Sequence, residues 1–393
     1  MIFRTVGKHI LSFTIAAVFA GMTSVYGQHE AEEQHATAHT DGTEATHDHE
    51  EKGGFNAGDY IIHHIADSHS IHLFGNHEEG IPEVSIPLPV ILWTNNGLVF
   101  FMSSAFHHDA EGKVVVEAGG QRFVNVHDKI LYATATPDAH GCYAELDENH
   151  KPVGDMPFDL SITKTVFGML LIMVLMILIF RSVASAYKKR EGQAPTGLQN
   201  AVEPLIMFIR DQVAIPSIGE KKAGKFMPFL LTMFFFIWLS NMLGLVPFLG
   251  GFNITGTIGL TVIMAGLVFV LTSINGNKHY WGHIFNPPGV PAGIKLILVP
   301  IEVLGVFIKP SVLMIRLTAN ITAGHISILA FVSLILIFAD LMGAGAGYGM
   351  GVFSVAFMIF MFFLELLVAF LQAYVFTLLA ALYFGDATHE VHH

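Results

Sequence analysis

An arginine, Arg316, and a histidine, His325, stand inside the apolar stretch MIRLTANITAGHISIL (314–329), and a carboxylate, Glu365, interrupts the next apolar run. A charge at membrane depth costs roughly 2.5–3.5 kcal/mol on insertion scales, so such residues usually mark an ion or proton path. Histidine takes and releases protons near neutral pH. Arginine stays charged and cannot relay protons, but it can hold a barrier or attract a carboxylate. Titratable groups beside a permanent cation therefore suggest a proton path with a charge gate. Simple pairing of these groups inside a helix bundle is the plainer alternative.

Spacing sorts these groups into faces. At about 100° per residue, Glu302, Lys309 and Arg316, each seven residues apart, share one helical face. Pro310 is positioned to bend that face. Asn320, four residues past Arg316, lies near the same stripe. His325 is nine residues past Arg316, about 180° away. Glu365 and Gln372, again seven apart, share a face of the last helix.

The elements that must carry these residues are membrane helices. The 393-residue chain is 52% hydrophobic and 13% charged, with a net charge of −12. Its mean hydropathy is +0.56, which points to an integral membrane protein. No basic tract of the nucleic-acid-binding kind occurs. The first span begins near Thr163, and TVFGMLLIMVLMILIF (165–180) with its flanks is long enough to cross a bilayer. The second span is expected over 226–251 and the third over 256–274. Apolar runs from about Ile294 to Leu341 and from Val352 to Phe384 follow. The last is about 50 Å long against a hydrocarbon core of about 30 Å, so both final helices should tilt strongly. The cation-rich loop 187–225 should be cytoplasmic. Within it, Val202, Leu205, Ile206, Ile209 and Val213 recur at helical spacing, predicting an amphipathic helix on the inner interface.

The region before the spans differs. Residues 1–27 have a short basic start (Arg4, Lys8), an apolar stretch and small residues before Gln28, the pattern of a secretory signal peptide. A retained first membrane helix is the alternative. A cleaved signal puts the mature N-terminus outside, and five spans then bring the C-terminus inside. Residues 28–79 form a His- and acid-rich segment expected to be disordered. Its histidines His29, His35, His39, His47 and His49 offer loose metal ligands, but without fixed ligand spacing a solvated linker is the simpler reading. Residues 80–158 contain short β-branched and aromatic runs divided by turn clusters such as TNNG and EAGGQ, predicting a small β-rich extracytoplasmic region. The single cysteine, Cys142, has no partner for an internal disulfide.

The membrane part, 159–393, resembles subunit a of the F-type rotary ATP synthases. RLTANITAGH (316–325), LELLVAFLQAYVFTLLAALY (364–383), NMLGLVPF (241–248) and IEVLGVFIKPSVLMIRL (301–317) carry the resemblance, which covers about residues 160–385. It implies an all-α polytopic fold of about five helices, the last two curving against a ring of c subunits. It implies a non-catalytic stator subunit of a bacterial inner-membrane complex, which forms two proton half-channels and drives ring rotation for ATP synthesis. Its partners would be the c subunits, b-type stator subunits, the soluble catalytic sector and the bilayer, with no cofactor. Arg316 would face the ring and attract each passing carboxylate, with Gln372 orienting it and Asn320 lining the same region. His325 and Glu365 would lie in the half-channel open to the outside. Glu302 would lie in the half-channel open to the cytoplasm. The long N-terminal region is not explained by the resemblance.

Other functions fit less well. A stand-alone proton or metal-ion transporter with a His-rich capture arm should show internal repeats or paired broken helices, and no convincing repeat is visible. A haem-binding subunit would need several intramembrane histidines, where His325 is the only clear one. A scaffold would have no use for Arg316, His325 and Glu365. The sequence leaves the choice of H⁺ over Na⁺ to His325 and to the c subunits.

Overall fold

A computed structural model of the protein describes residues 67–76, 81–138, 141–147, 152–246, 252–287 and 290–388. The signal-peptide expectation and most of the His- and acid-rich segment lie outside the described residues.

The N-terminal part is β-rich, as expected, but its order begins earlier than residue 80. Strand β1 (Ser70–Asn76) pairs antiparallel with β2 (Ile81–Pro87). Ile71, 2% exposed, anchors β1 in the main hydrophobic core. A strand of this length hides easily beside a polar, acidic tract, because only three apolar residues, Ile71, Leu73 and Phe74, identify it. β3 (Pro89–Thr94) lies between β4 (Gly97–Met102) and the short β8 (Phe158–Asp159). The hairpin turn follows TNNG, with Gly97 at φ +110°, a conformation glycine adopts without steric cost. β5 (Val116–Ala118), β6 (Gln121–Val126) and β7 (Lys129–Tyr132) form a third antiparallel sheet. Phe123, Leu92 and Val90, all fully buried, close a core between the second and third sheets. Cys142 is buried as a free thiol.

The chain passes into the membrane part directly from β8. Backbone bonds from Leu160 to Ile91 (2.8 Å) and from Ile162 to Pro89 (3.1 Å) keep it on the edge of β3. Thr163 then caps helix α1 (Lys164–Lys189) by accepting from the Val166 N–H, which satisfies one of the orphan donors of a helix start.

Helix α2 (Leu198–Phe208) continues through a π-helical turn (Ile209–Ala214) and one more turn (Ile215–Ile218). It is amphipathic as predicted, but Ile209 and Val213 are fully buried and Val202 nearly so. Phe208 packs on Phe370 and Tyr374 of the last helix. The apolar face is therefore covered by protein, because the last helix supplies an aromatic surface where the sequence alone offered only lipid.

Helix α3 (Glu220–Gly244) starts six residues before and ends seven before the expected second span. Helix α4 (Ile258–Asn275) matches the third. The polar, Pro-rich stretch after it contains a short helix, α5 (Lys278–Phe285). Helices α6 (Ala292–Met342) and α7 (Ala344–Thr388) have 51 and 45 residues, about 76 and 68 Å at 1.5 Å per residue. The Gly-rich run 343–351 breaks the helix only at Gly343, at φ +86°. The remaining glycines join α7, and Gly347 lets the two helices approach, since a Cβ there would lie 2.7 Å from the Ala339 Cβ.

Among the described residues five helices, α1, α3, α4, α6 and α7, are long and apolar enough to cross a membrane. α3 is the buried centre of the bundle, with Met233, Phe234, Phe236 and Ile237 fully buried. By contrast α6 and α7 expose large apolar side chains along their lengths, among them Ile308, Ile315, Phe353, Phe360 and Leu367. In a membrane protein such a surface faces lipid or another subunit.

Candidate functional site

The site is built on the α6–α7 hairpin. Its antiparallel register follows from contacts along its length. Phe331 meets Phe357 with ring centroids 4.3 Å apart. Gly324 meets Glu365. The Lys309 ammonium sits 5.7 Å from the centre of the Tyr383 ring, a cation–π contact. This register brings Gln372 level with Arg316.

Arg316 and Asn320 are both exposed, on the open side of the hairpin. One turn away on the other side, Leu313 and Leu317 are buried in the main core. His325 turns to that inner side. Its ring packs on the last residue of α3, where a Cβ on Gly244 would lie 3.3 Å from Nε2. The 180° separation expected from the nine-residue gap is therefore present in space. Gln372 is buried, 6% exposed. Glu365 is half-buried against Gly324, the residue before His325, and its Oε2 is buried without a hydrogen-bond partner. His325 and Glu365 are thus neighbours across the helix pair.

Polar residues that the spacing argument did not single out complete this region. Thr255 donates a short hydrogen bond to Asn241 Oδ1, and Asn241 Nδ2 donates to the Ala369 carbonyl at 3.4 Å. Asn241 therefore ties α3 to α7 and to the segment before α4. The hydroxyls of Thr261 and Thr318, 2.8 Å apart, join α4 to α6. Asn241 lies in the NMLGLVPF motif; the threonines carried no signal, because threonine is common in apolar helices and its partners are distant in sequence.

Glu302 is half-buried fourteen residues before Arg316, about 21 Å along the helix, and the fold does not bring it to the other site residues. Nearer that end of the hairpin, Thr272, Tyr280, Lys309, Tyr383 and Asp386 line a small cavity of about 20 Å³. Asp386 is the carboxylate of this cavity, and burial and then the Asp386 charge push the Tyr280 hydroxyl pKa up. Asp386 follows the apolar run that ends at Phe384 and is not among the residues that helical spacing singled out.

A five-helix membrane bundle with an open two-helix face, one exposed arginine and an interior polar trail defines a polytopic protein of the ion-translocating type. The family model described as ATP synthase A chain matches residues 166–385, and the chain belongs to that family, subunit a of the F-type ATP synthases. The ATP synthase subunit a of Chlorobium phaeobacteroides (strain BS1) is 39% identical over 315 residues, covering 72% of this chain and 89% of that protein. ATP synthase subunit a 2 of Chlorobaculum tepidum is 44% identical over 237 residues, 59% of this chain and 64% of that protein. The subunit a of Anaeromyxobacter sp. (strain Fw109-5) is 36% identical over 268 residues, 65% and 62% of the two chains. A second family model, described only as a domain of unknown function, matches residues 60–160. The Chlorobium phaeobacteroides alignment covers too much of the chain to be the membrane part alone, so that relative shares some of the N-terminal region.

Proposed function

We infer that this chain is the stator half of the proton path in the membrane sector of an ATP synthase and catalyses no chemical step itself. The open face of α6 and α7 lies against the ring of c subunits, and the complex is held by b-type stator subunits to the soluble catalytic sector. Arg316 attracts the ionised carboxylate of each passing c subunit and stops protons crossing directly between two offset half-channels. At an effective dielectric of about 20, two unit charges 4 Å apart attract by about 4 kcal/mol, enough to favour ionisation and weak enough to be broken by rotation. Gln372 and Asn320 line the gate. His325 and Glu365 carry protons in the half-channel open to the outside, and Glu302 belongs to the one open to the cytoplasm. Lys188, Lys189, Arg190, Lys221, Lys222 and Lys225 cluster at the end of the bundle opposite the β-rich region, so the positive-inside rule makes that end cytoplasmic in a bacterial inner membrane.

The observation that carries this reading is the split along one helix, with Arg316 exposed on the open face and His325 turned inward beside Glu365. The test is Arg316→Ala in inverted membrane vesicles. ATP-driven proton pumping should vanish while the assembled complex still hydrolyses ATP. Normal pumping by that variant would end the gate assignment.

A further inference from the structure

The junction between the β-rich region and α1 holds charged groups that the inferred mechanism does not use. His69 is 6% exposed, and its Nε2 lies 3.0 Å from Asp159 Oδ2. Its other ring nitrogen, Nδ1, is buried without a hydrogen-bond partner. Asp159, whose side chain is 12% exposed, also accepts from the Ser161 N–H at 2.7 Å. Burial alone would lower the His69 pKa, but the bond and charge of Asp159, with the charges of Asp128 and Asp67, hold it above its ordinary value. The groups facing His69 are thus Asp159 from β8, Asp128 from the β6–β7 turn and Asp67 from its own segment.

This cluster is fastened to the start of the first membrane helix. Asp67 Oδ1 accepts from the Thr165 N–H at 2.9 Å, and the Ser68 carbonyl accepts from the Lys164 N–H at 2.8 Å. The Lys164 side chain, 5% exposed, shares the electrostatic field of Asp67 and Asp128 with His69 and also acts on His325. Contacts continue inward. One turn below Lys164, a Cβ at Gly168 would touch Phe252 and Ile254; a Cβ at Gly244 would touch the Phe252 carbonyl and His325. Three further buried polar atoms without partners lie along or beside this route: Asn253 Oδ1, Ser240 Oγ and Glu365 Oε2. Buried polar atoms are nearly always hydrogen-bonded, and water supplies the partner when protein does not.

We propose that His69 and Asp159 of the N-terminal region, with Lys164 at the head of α1, form an outer proton-transfer station feeding the inlet half-channel at His325 and Glu365. The domain of unknown function is then part of the proton path. The His69 imidazolium gives up its Nδ1 proton inward and becomes neutral imidazole. The remaining ring proton then lies on Nε2, toward Asp159. The ring therefore turns to present its bare nitrogen, takes the proton that has arrived from outside at the partly exposed Asp159 carboxylate, and turns back to restore the charged pair. Each cycle moves one proton and leaves no net change. Lys164, buried at the head of α1 between the two stations, acts as a positioning residue.

The proposal rests on the inlet assignment above, and its test separates the two. The intact complex is reconstituted in vesicles with the pH of each side set independently, and ATP synthesis is measured per assembled complex, counted by uncoupled ATP hydrolysis. His69→Gln keeps a donor toward Asp159 but cannot titrate near neutral pH. Synthesis should fall about tenfold and lose its dependence on outer pH near neutrality, while its dependence on inner pH stays. Asp159→Asn, the second variant, should do the same. Unchanged rate and outer-pH profile in either assembled variant overturns the station. A loss only in the number of assembled complexes, with a normal profile in those that form, makes the pair structural and also overturns it. Arg316→Ala, run alongside, must abolish synthesis; if it does not, the inlet reading itself has failed.

Discussion

The Glu365 carboxylate rests on the backbone of the facing helix at Gly324, so closely that a Cβ there would come 2.9 Å from its carboxyl carbon. A glycine inside a 51-residue helix costs about 1 kcal/mol relative to alanine. Here the missing side chain makes room for the acid beside His325.

Gly324→Ala should therefore separate stability from transport. The helix gains propensity, so the melting temperature of the purified complex should hold or rise. Glu365 must move, and proton-driven ATP synthesis should fall about tenfold, equivalent to about 1.4 kcal/mol in the barrier. Measuring both in one preparation decides it, and full synthesis would show that the Glu365 position is not critical.

Gly244→Ala should act on both counts. The added Cβ would lie 2.6 Å from the Phe252 carbonyl oxygen and 3.3 Å from His325 Nε2, and a carbonyl in the packed segment before α4 has little room to yield. Overpacking of this kind costs about 1–3 kcal/mol. Hydrogen exchange at residues 252–257 should accelerate and pumping should drop. Unaltered exchange would mean the segment can move aside freely.

The clasp between the β-rich region and α1 should be strongest in a window of pH. The His69 pKa is raised, so its contribution is fully present below the ordinary value of 6.5 and is lost as pH rises through the folded value. The Asp159 pKa is lowered: burial would raise it, but His69 and Ser161 outweigh burial. Its contribution is present above the ordinary value of 3.8 and is lost as pH falls through the folded value. After correction for intrinsic rates, exchange at Lys164 and Thr165 amides should be slowest between those limits and should quicken as pH rises past the His69 range. A flat profile across neutral pH would contradict the charged pair.

Much of the membrane part was legible because its signals are local. An apolar run of about 20 residues is a span whatever it packs against, and helical phase alone puts Arg316 and His325 on opposite faces. Element ends were less legible. α3 stops at Gly244, before Pro247, and α7 runs through a glycine-rich stretch, because close approach to Ala339 rather than intrinsic propensity favours glycine there. The strand at Ser70–Asn76 was hidden by its polar neighbourhood, and the lipid surface expected under α2 is instead the aromatic face of α7.

The sequence by itself determined the kind of protein this is: a membrane bundle with an arginine and a titratable pair inside apolar helices, preceded by a β-rich region. Those features depend on residue type and on spacing within single helices. Only the tertiary structure decided which distant residues meet. Glu365 rests on Gly324, His325 on Gly244, and Asp159 on His69, 90 residues apart in the chain. Such contacts follow from the register of packed helices and from the chain crossing the edge of a sheet. Those are properties of two surfaces fitting together, and neither surface alone records them.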